Sequence, residues 1–488
     1  MRTGAPAAKP YRRVWLGKKH SHAARHATRG MCQPGGLISA AANDEAQEAA
    51  VQVSATAAPA AVARGWEAVQ TFTSYLTRAT IGIVLGIGAT GCGDGLLSDG
   101  SLQRPTLNLT TLGIGEEDTY FETLSNDLLQ NAELVELNLE PRVIRGSITG
   151  ADVDVYDLGP MNAGDRVVVE ITASDTLDPA LAIFDQTGAT MLVNDHRNAY
   201  LGRKDPFINV VLPRQTDHCY LAVAATPYYD DDGDYAILAS LEINQDPPAA
   251  RPESVLLVFD GANNVRIGSR ASVNVPEFDA AEIDARYIGK TGEIITRVTN
   301  LVRADFTEHD VEIRSTAEGD VWDGLMTRVY FGTYDPGLLG VAEGVDEFNS
   351  TATQEAIIFT DTFAAFSAID PTTEEISQAL ANVTSHEIGH LLGLIHTRDA
   401  FGIMDVTASL NQLLEDQEFR MSPIYEDVYP VGYQNGNQSL YDAVGGTFDV
   451  TAFAGFGLPR TNAKLVETWV DAARDQHVFS SCGLSHQH

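Results

Sequence analysis

His386-Glu387-Ile388-Gly389-His390-Leu391-Leu392-Gly393-Leu394-Ile395-His396, with Met404 eight residues further on, is the stretch on which the reading of this chain turns. On a helix His386 and His390 lie one turn apart and project from the same face, so their ring nitrogens can meet at one cation. Gly393 lets the backbone leave the helix through a conformation that a β-carbon resists, which swings His396 back towards the first two. Three neutral nitrogen ligands result, and a fourth tetrahedral position stays open for water, as catalytic zinc requires. Glu387 follows a ligand in sequence but points about 100° around the helix, where it can touch that water without coordinating the metal.

The bland alternative is a core helix that happens to carry histidines. The glycine, the third histidine and the downstream methionine all fall in place, which a chance His-x-x-x-His pair does not explain. The stretch resembles HExxHxxGxxH, the extended zinc motif of the metzincin metallopeptidases, which keep a methionine in a turn beneath the metal. The resemblance implies an α+β peptidase domain acting on a protein or peptide substrate with one catalytic Zn2+. His386, His390 and His396 would be the ligands, Glu387 the general base, Gly393 the bend and Met404 the Met-turn. Asp405 and Val406 follow Met404 where astacins and serralysins place a tyrosine, so no tyrosine ligand is expected. No histidine lies between His309 and His386, and the structural-zinc histidines of matrixins have no counterpart.

At 488 residues the chain is long enough for two or three domains, and 44% hydrophobic with 20% charged residues is an ordinary globular composition. Its charge is not ordinary: 32 Lys and Arg stand against 67 Asp and Glu, and ten of the bases but only four of the acids fall in residues 1–92. So acidic a main part repels nucleic acid and anionic membranes and says little about chemistry. Cys32, Cys92, Cys219 and Cys482 form neither a zinc-like pair nor a dense disulfide frame.

Residues 1–67 are basic, then Ala-rich, without hydrophobic periodicity, and read as disordered or as preceding the true start. In 68–92 a short positive region, an apolar core of about ten residues and small residues lead to a cysteine, the layout of a secretory signal too short to span as a mature helix. The segment resembles a bacterial lipoprotein signal with Cys92 as the lipidated residue, although Ala89 stands where leucine is usual. Gly93 after the cysteine implies, by the same resemblance, an outer-membrane or cell-surface lipoprotein. A soluble secreted protein, or a buried apolar helix with an incidental cysteine, are the alternatives.

Residues 93–138 read as a polar tether with a short helix at 121–129. Strand-like runs at 153–158, 166–172, 180–184, 208–212, 220–224 and 235–241, separated by Asp- and Gly-containing turns, indicate an antiparallel β-sandwich over 139–244. Asp152-Val153-Asp154-Val155-Tyr156, Leu177-Asp178-Pro179-Ala180-Leu181 and Gly233-Asp234-Tyr235 resemble the pre-peptidase C-terminal domain that accompanies secreted bacterial peptidases. Asp230-Asp231-Asp232-Gly233-Asp234 invites a Ca2+ reading, but Tyr228 stands where an EF-hand loop wants an acid, and a solvated acidic hairpin is the preferred account.

Pro247-Pro248 marks a linker at 245–252, and 253–445 is the metzincin-like unit, expected to fold by itself. It opens with the buried strand 255–259 and a helix near 291–304. Strands at 311–313, 327–331 and 356–359 follow. By analogy 356–361 lines the cleft as an edge strand on which an extended substrate can add, with an internal strand as the alternative. Thr372 and Glu375 after Pro371 cap the histidine helix, whose apolar face is Ile376, Ala379, Leu380, Val383 and Leu391. Short helices are expected at 410–414 and 439–444, and 446–488 shows no motif. The fold class is thus a β-sandwich followed by an α+β metzincin-type domain. The function implied is zinc endopeptidase, against an inactive binding lipoprotein on the same scaffold or a zinc hydrolase of a non-peptide bond.

Overall fold

The computed structural model describes residues 119–123, 125–196, 205–227, 231–450 and 480–482. Cys92 with its signal-like segment, residues 1–118, Asp230 of the acidic turn and most of 446–488 lie outside the described residues. The fold is sheet-rich α+β with several sheets. Among the described residues no helix is long and apolar enough to cross a membrane.

Ten strands fill the first region: β1 Thr119–Phe121, β2 Glu133–Leu134, β3 Arg142–Ile148, β4 Val153–Asp157, β5 Arg166–Ala173, β6 Pro179–Phe184, β7 Thr190–Asn194, β8 Phe207–Val211, β9 Tyr220–Ala225 and β10 Gly233–Glu242. They form two five-stranded sheets, β1-β3-β10-β5-β8 and β2-β4-β9-β6-β7, which share one core through Ile144, Val167, Ile237, Leu181 and Leu221. In place of the expected helix at 121–129 stand β1 and a single 3-10 turn, Leu129–Asn131. Asp232 accepts a hydrogen bond from the Gly150 amide at 2.6 Å, so this acid of the candidate calcium turn is used to brace a neighbouring hairpin.

The two sheets differ in a way that the rest of the chain explains. β5 alternates, burying Val167, Val169, Ile171 and Ala173 and turning its other face outward. β4 and β6 bury every residue. Such strands are covered on both faces. The cover is the second region: Val155, Ala182, Phe184 and Ala222 pack on Ile424 and Tyr429, with the Phe184 and Tyr429 rings 5.9 Å apart.

That region continues with β11 Glu253–Val258, β12 Ala262–Val265, β13 Val273–Val275, α1 Thr291–Asp305, β14 Val311–Ser315, β15 Thr327–Phe331, β16 Leu338–Ala342, β17 Glu355–Ile358, α2 Thr373–Leu391, α3 Leu410–Leu413, β18 Met421–Pro423, β19 Tyr433–Asn435, α4 Gly436–Val444 and β20 Ser480–Cys482. One six-stranded sheet runs β14-β11-β15-β17-β16-β20. Its first four strands are parallel, β16 is antiparallel to β17, and β20 pairs parallel to β16. Residues 355–358 are therefore an internal strand between β15 and β16, the alternative to the edge position expected by analogy. Val255 and Leu257 of β11 face the core with Ile294, Val298 and Val302 of α1 and Leu380 and Val383 of α2. Leu256 and Val258 fill a second cluster on the opposite face.

The two regions do not behave as beads on a string. Arg214 donates to Asp185 at 3.0 Å and pairs with Asp442 on α4, joining the two regions through a largely buried cation. The linker is pinned as well, with the Arg251 amide on the Ala443 carbonyl at 2.9 Å and the Arg251 guanidinium on Asn349 at 2.7 Å. Contacts between apolar residues and a buried ion pair thus cross the 245–252 boundary. A fragment starting at Arg251 strips Asp442 of its cation, costing about 3 kcal/mol, and bares the surface around Tyr429. At roughly 2–4 °C per kcal/mol for a domain of this size, its melting temperature should fall by on the order of 10 °C relative to the intact chain. A fragment that melts with the intact protein in a thermal scan would show the shared core to be dispensable.

Candidate metal centre

Helix α2 begins at a capping box in which the Thr372 hydroxyl accepts from the Glu375 amide and the Glu375 carboxylate accepts from the Thr372 amide. From Ala379 to Leu391 every residue is buried, so the helix is enclosed on all sides and not on one face only. Its polar residues are satisfied in place: Thr384 donates to the Leu380 carbonyl at 2.7 Å, Asn382 to Leu413 and Glu415 carbonyls at 3.0 and 2.8 Å, and Ser385 to Asp305 at 2.5 Å. A helix held this way gives its side chains fixed directions.

At its end the Gly393 amide donates to the His390 carbonyl at 3.0 Å and the Leu394 amide to the Gly389 carbonyl at 2.9 Å. Gly393 has φ +94, and a β-carbon there would lie 3.0 Å from the Asp346 carbonyl oxygen. Glycine is required twice over, by the left-handed turn and by the close approach of the 346–348 backbone. The turn delivers His396 to the other two histidines.

The imidazole ring of His386 lies 4.7 Å from that of His390 and 5.4 Å from that of His396, and the rings of His390 and His396 are 4.7 Å apart, centre to centre. The Nδ1 of His386 is 2.7 Å from the Ile403 carbonyl and that of His390 is 2.7 Å from the Leu394 carbonyl. A carbonyl only accepts, so each Nδ1 carries the proton and each Nε2 presents its lone pair inward. Those two Nε2 atoms are 3.1 Å apart. Two ligands of one tetrahedral zinc stand about 3.3 Å apart. Burial pushes His386 down to about 4, with the Ile403 hydrogen bond offsetting only part of the effect, and burial together with the His386 ring holds His390 well below its ordinary value. Both are neutral at physiological pH, the state that metal ligation needs. Among the described residues these three histidines are the group that could hold a metal ion, and their donor set fits one.

Met404 packs on α2 at Gly389. Its sulfur sits so close to Gly389 that a β-carbon there would come within 2.5 Å, and its carbonyl accepts from the Thr397 amide at 2.8 Å. The turn is closed by Asp405, whose carboxylate accepts from the Asp399 amide at 2.7 Å and from the Thr407 amide and hydroxyl at 2.8 Å. Glu387 is fully buried on α2 and faces β16, where a β-carbon on Gly340 would lie 2.4 Å from its carboxylate oxygen. The structure thus brings His386, His390 and His396 together, with Glu387 on the same helix against Gly340 and Met404 against Gly389. Sequence reading missed Gly340 and β16, although the apolar run 338–342 between Pro336-Gly337 and Glu343-Gly344 is a strand signal. It also missed the main-chain acceptors Ile403 and Leu394, which no side-chain pattern announces.

No family model and no curated protein matches the chain. Among solved structures it is similar to a periplasmic inhibitor of g-type lysozyme from Aeromonas hydrophila, at 18% identity over 25% of this chain and 99% of that one, with a TM-score of 0.19. It is also similar to archaemetzincin from Methanopyrus kandleri, at 17% identity over 35% of this chain and 89% of that one, TM-score 0.20. A family two carbohydrate esterase from Cellvibrio japonicus gives 10% identity over 36% and 49% of the two chains, TM-score 0.14. These likenesses are slight.

Gly393→Ala should cost about 1–3 kcal/mol of stability, the scale of a strained left-handed residue, and should weaken metal binding because the displaced turn carries His396. Denaturant unfolding and a chelator competition check both, and unchanged metal affinity would show that the turn does not set the third ligand.

Proposed function

We propose that the chain is a zinc-dependent endopeptidase of metzincin type, acting on extracellular proteins or peptides. The observation that carries this reading is the pair of inward Nε2 lone pairs 3.1 Å apart, joined by His396, with the buried Glu387 next in sequence to the first of them. On this reading the two-sheet region is a β-sandwich of pre-peptidase C-terminal type and 253–445 is the catalytic unit.

Zinc, when bound, would lower the pKa of the attacking water and polarise the scissile carbonyl. His386, His390 and His396 supply neutral nitrogen and leave room for water and substrate. Glu387 takes the proton as the water oxygen bonds to the carbonyl carbon, then gives it to the amide nitrogen as the C–N bond breaks, so that a carboxylate is regenerated. A carboxylate suits this task because the ring nitrogens are committed to the metal and to the Ile403 and Leu394 carbonyls. Gly340, with no side chain, leaves room for the Glu387 carboxylate, whose oxygen would lie 2.4 Å from a β-carbon there.

Glu387→Gln is expected to keep zinc near one per chain while peptide cleavage falls at least about a hundredfold, the scale of a lost general base. Gly340→Ala should do the same more mildly, since its β-carbon enters the space of the carboxylate and leaves the ligands alone. A quenched-peptide assay with and without chelator, beside metal analysis, reads both. Loss of zinc along with activity in Glu387→Gln would make Glu387 a ligand. Absence of any chelator-sensitive cleavage by the wild type would leave a binding protein or a hydrolase of another bond.

The same reading makes the protein an exported lipoprotein anchored through Cys92, with no other attachment to membrane and no nucleic-acid partner. The acidic main part opposes adsorption to anionic lipid, so attachment would need the lipid. Mass spectrometry of the native N-terminal peptide should find a diacylated Cys92 at the mature terminus. An unmodified Cys92 within a longer intact N-terminus would leave a soluble secreted protein.

A further inference from the structure

His386 and His390 share one rigid helix, but His396 lies beyond its end, and its position depends on how the 393–397 backbone is held. On one side the Thr397 amide donates to the Met404 carbonyl at 2.8 Å. On the other stands Gln434, 2% exposed on β19. Its Oε1 accepts from the Ile395 amide at 2.7 Å and its Nε2 donates to the Ile395 carbonyl at 2.8 Å. One side chain thus satisfies both main-chain groups of the residue before the third ligand, as a neighbouring strand would. The fixed donor and acceptor of Ile395 leave the amide a single orientation. The Tyr425 amide adds a bond of 3.0 Å to the His396 carbonyl.

β19 pairs with β18, with Gln434 opposite Ser422, and is held as well by the two-sheet region. The Tyr433 amide donates to the Gly188 carbonyl at 2.9 Å, and Tyr433 bridges Ala189 in the turn between β6 and β7. Gly432 lies so close to the Phe184 ring that a β-carbon would reach within 2.2 Å of it. From these contacts we infer that Gln434 is a positioning residue for the third metal ligand, and that the two-sheet region, by holding β19, is a working part of the metal centre. The inference rests on the zinc reading of the three histidines.

The test uses the full chain and zinc or cobalt as probes. Gln434→Ala is expected to weaken zinc binding by about 10–100-fold, the range for residues that orient ligands from outside the coordination sphere. The visible spectrum of the cobalt-loaded protein should shift, and kcat should fall while KM stays near that of the wild type. The melting temperature of the zinc-loaded form should drop more than that of the metal-free form. Gln434→Glu, of the same size, keeps an acceptor for the Ile395 amide but sets a carboxylate against its carbonyl, and should lose zinc affinity too. It serves as the reading if the alanine variant does not fold. Gly432→Ala, pushing β19 off Phe184, should act in the same direction. Wild-type zinc affinity and cobalt spectrum in the Gln434 variants would overturn the proposal, as would equal melting losses with and without metal. Metal affinity is read without substrate, so a wild type that binds zinc but cleaves no peptide would sink the peptidase reading alone. A wild type that binds no zinc would sink both.

Discussion

Two neutral imidazole nitrogens facing each other at 3.1 Å inside a buried pocket repel unless a cation lies between them. Much of the second region is arranged so that they must face. The capping box fixes where α2 starts, its enclosure between α1, the sheet and the Met404 turn fixes its rotation, and the Ile403 and Leu394 carbonyls fix which nitrogen points inward. On the proposed zinc reading metal binding would couple to folding, since the ion would relieve a repulsion that the packing creates.

The third histidine carries the constraint outward. A ligand beyond a helix end cannot borrow the rigidity of the helix, so it takes it from Met404, Tyr425 and Gln434, each on a separate piece of chain. Two of those pieces, around Tyr425 and Gln434, rest against β6 and β9 through Ile424 and Tyr429 and against the turn after β6 through Tyr433. The full burial of β4 and β6 and the Arg214 bridge between Asp185 and Asp442 are the far end of the same chain of support.

What could be read from sequence was what is local. The histidine spacing, the Gly393 exit, the Thr372 cap and the strands β5, β6, β9 and β11 each depend on residues a few positions apart, and they lie where expected. What escaped depends on distant residues. Gln434 meets Ile395 across 39 positions, and nothing in its neighbours marks it. β16 escaped although it is as long as β15; the glycine that interrupts it is the residue that the approach of Glu387 demands. The union of the two regions did leave a trace. Pro179-Ala180-Leu181-Ala182-Ile183-Phe184 and Tyr220-Leu221-Ala222-Val223-Ala224 lack the polar alternation of a solvated sheet, and such runs mean cover on both faces. Read by itself, Pro247-Pro248 pointed the other way, because a proline pair marks a linker without showing whether its ends are tied down.

Zinc-edge X-ray absorption on the purified chain counts the zinc and identifies the atoms around it. The expected result is about one zinc per chain, with three nitrogen scatterers at about 2.0–2.1 Å, an imidazole outer-shell signature and one oxygen. A chain that retains no zinc, or a site with sulfur at about 2.3 Å or fewer than three imidazoles, would contradict it.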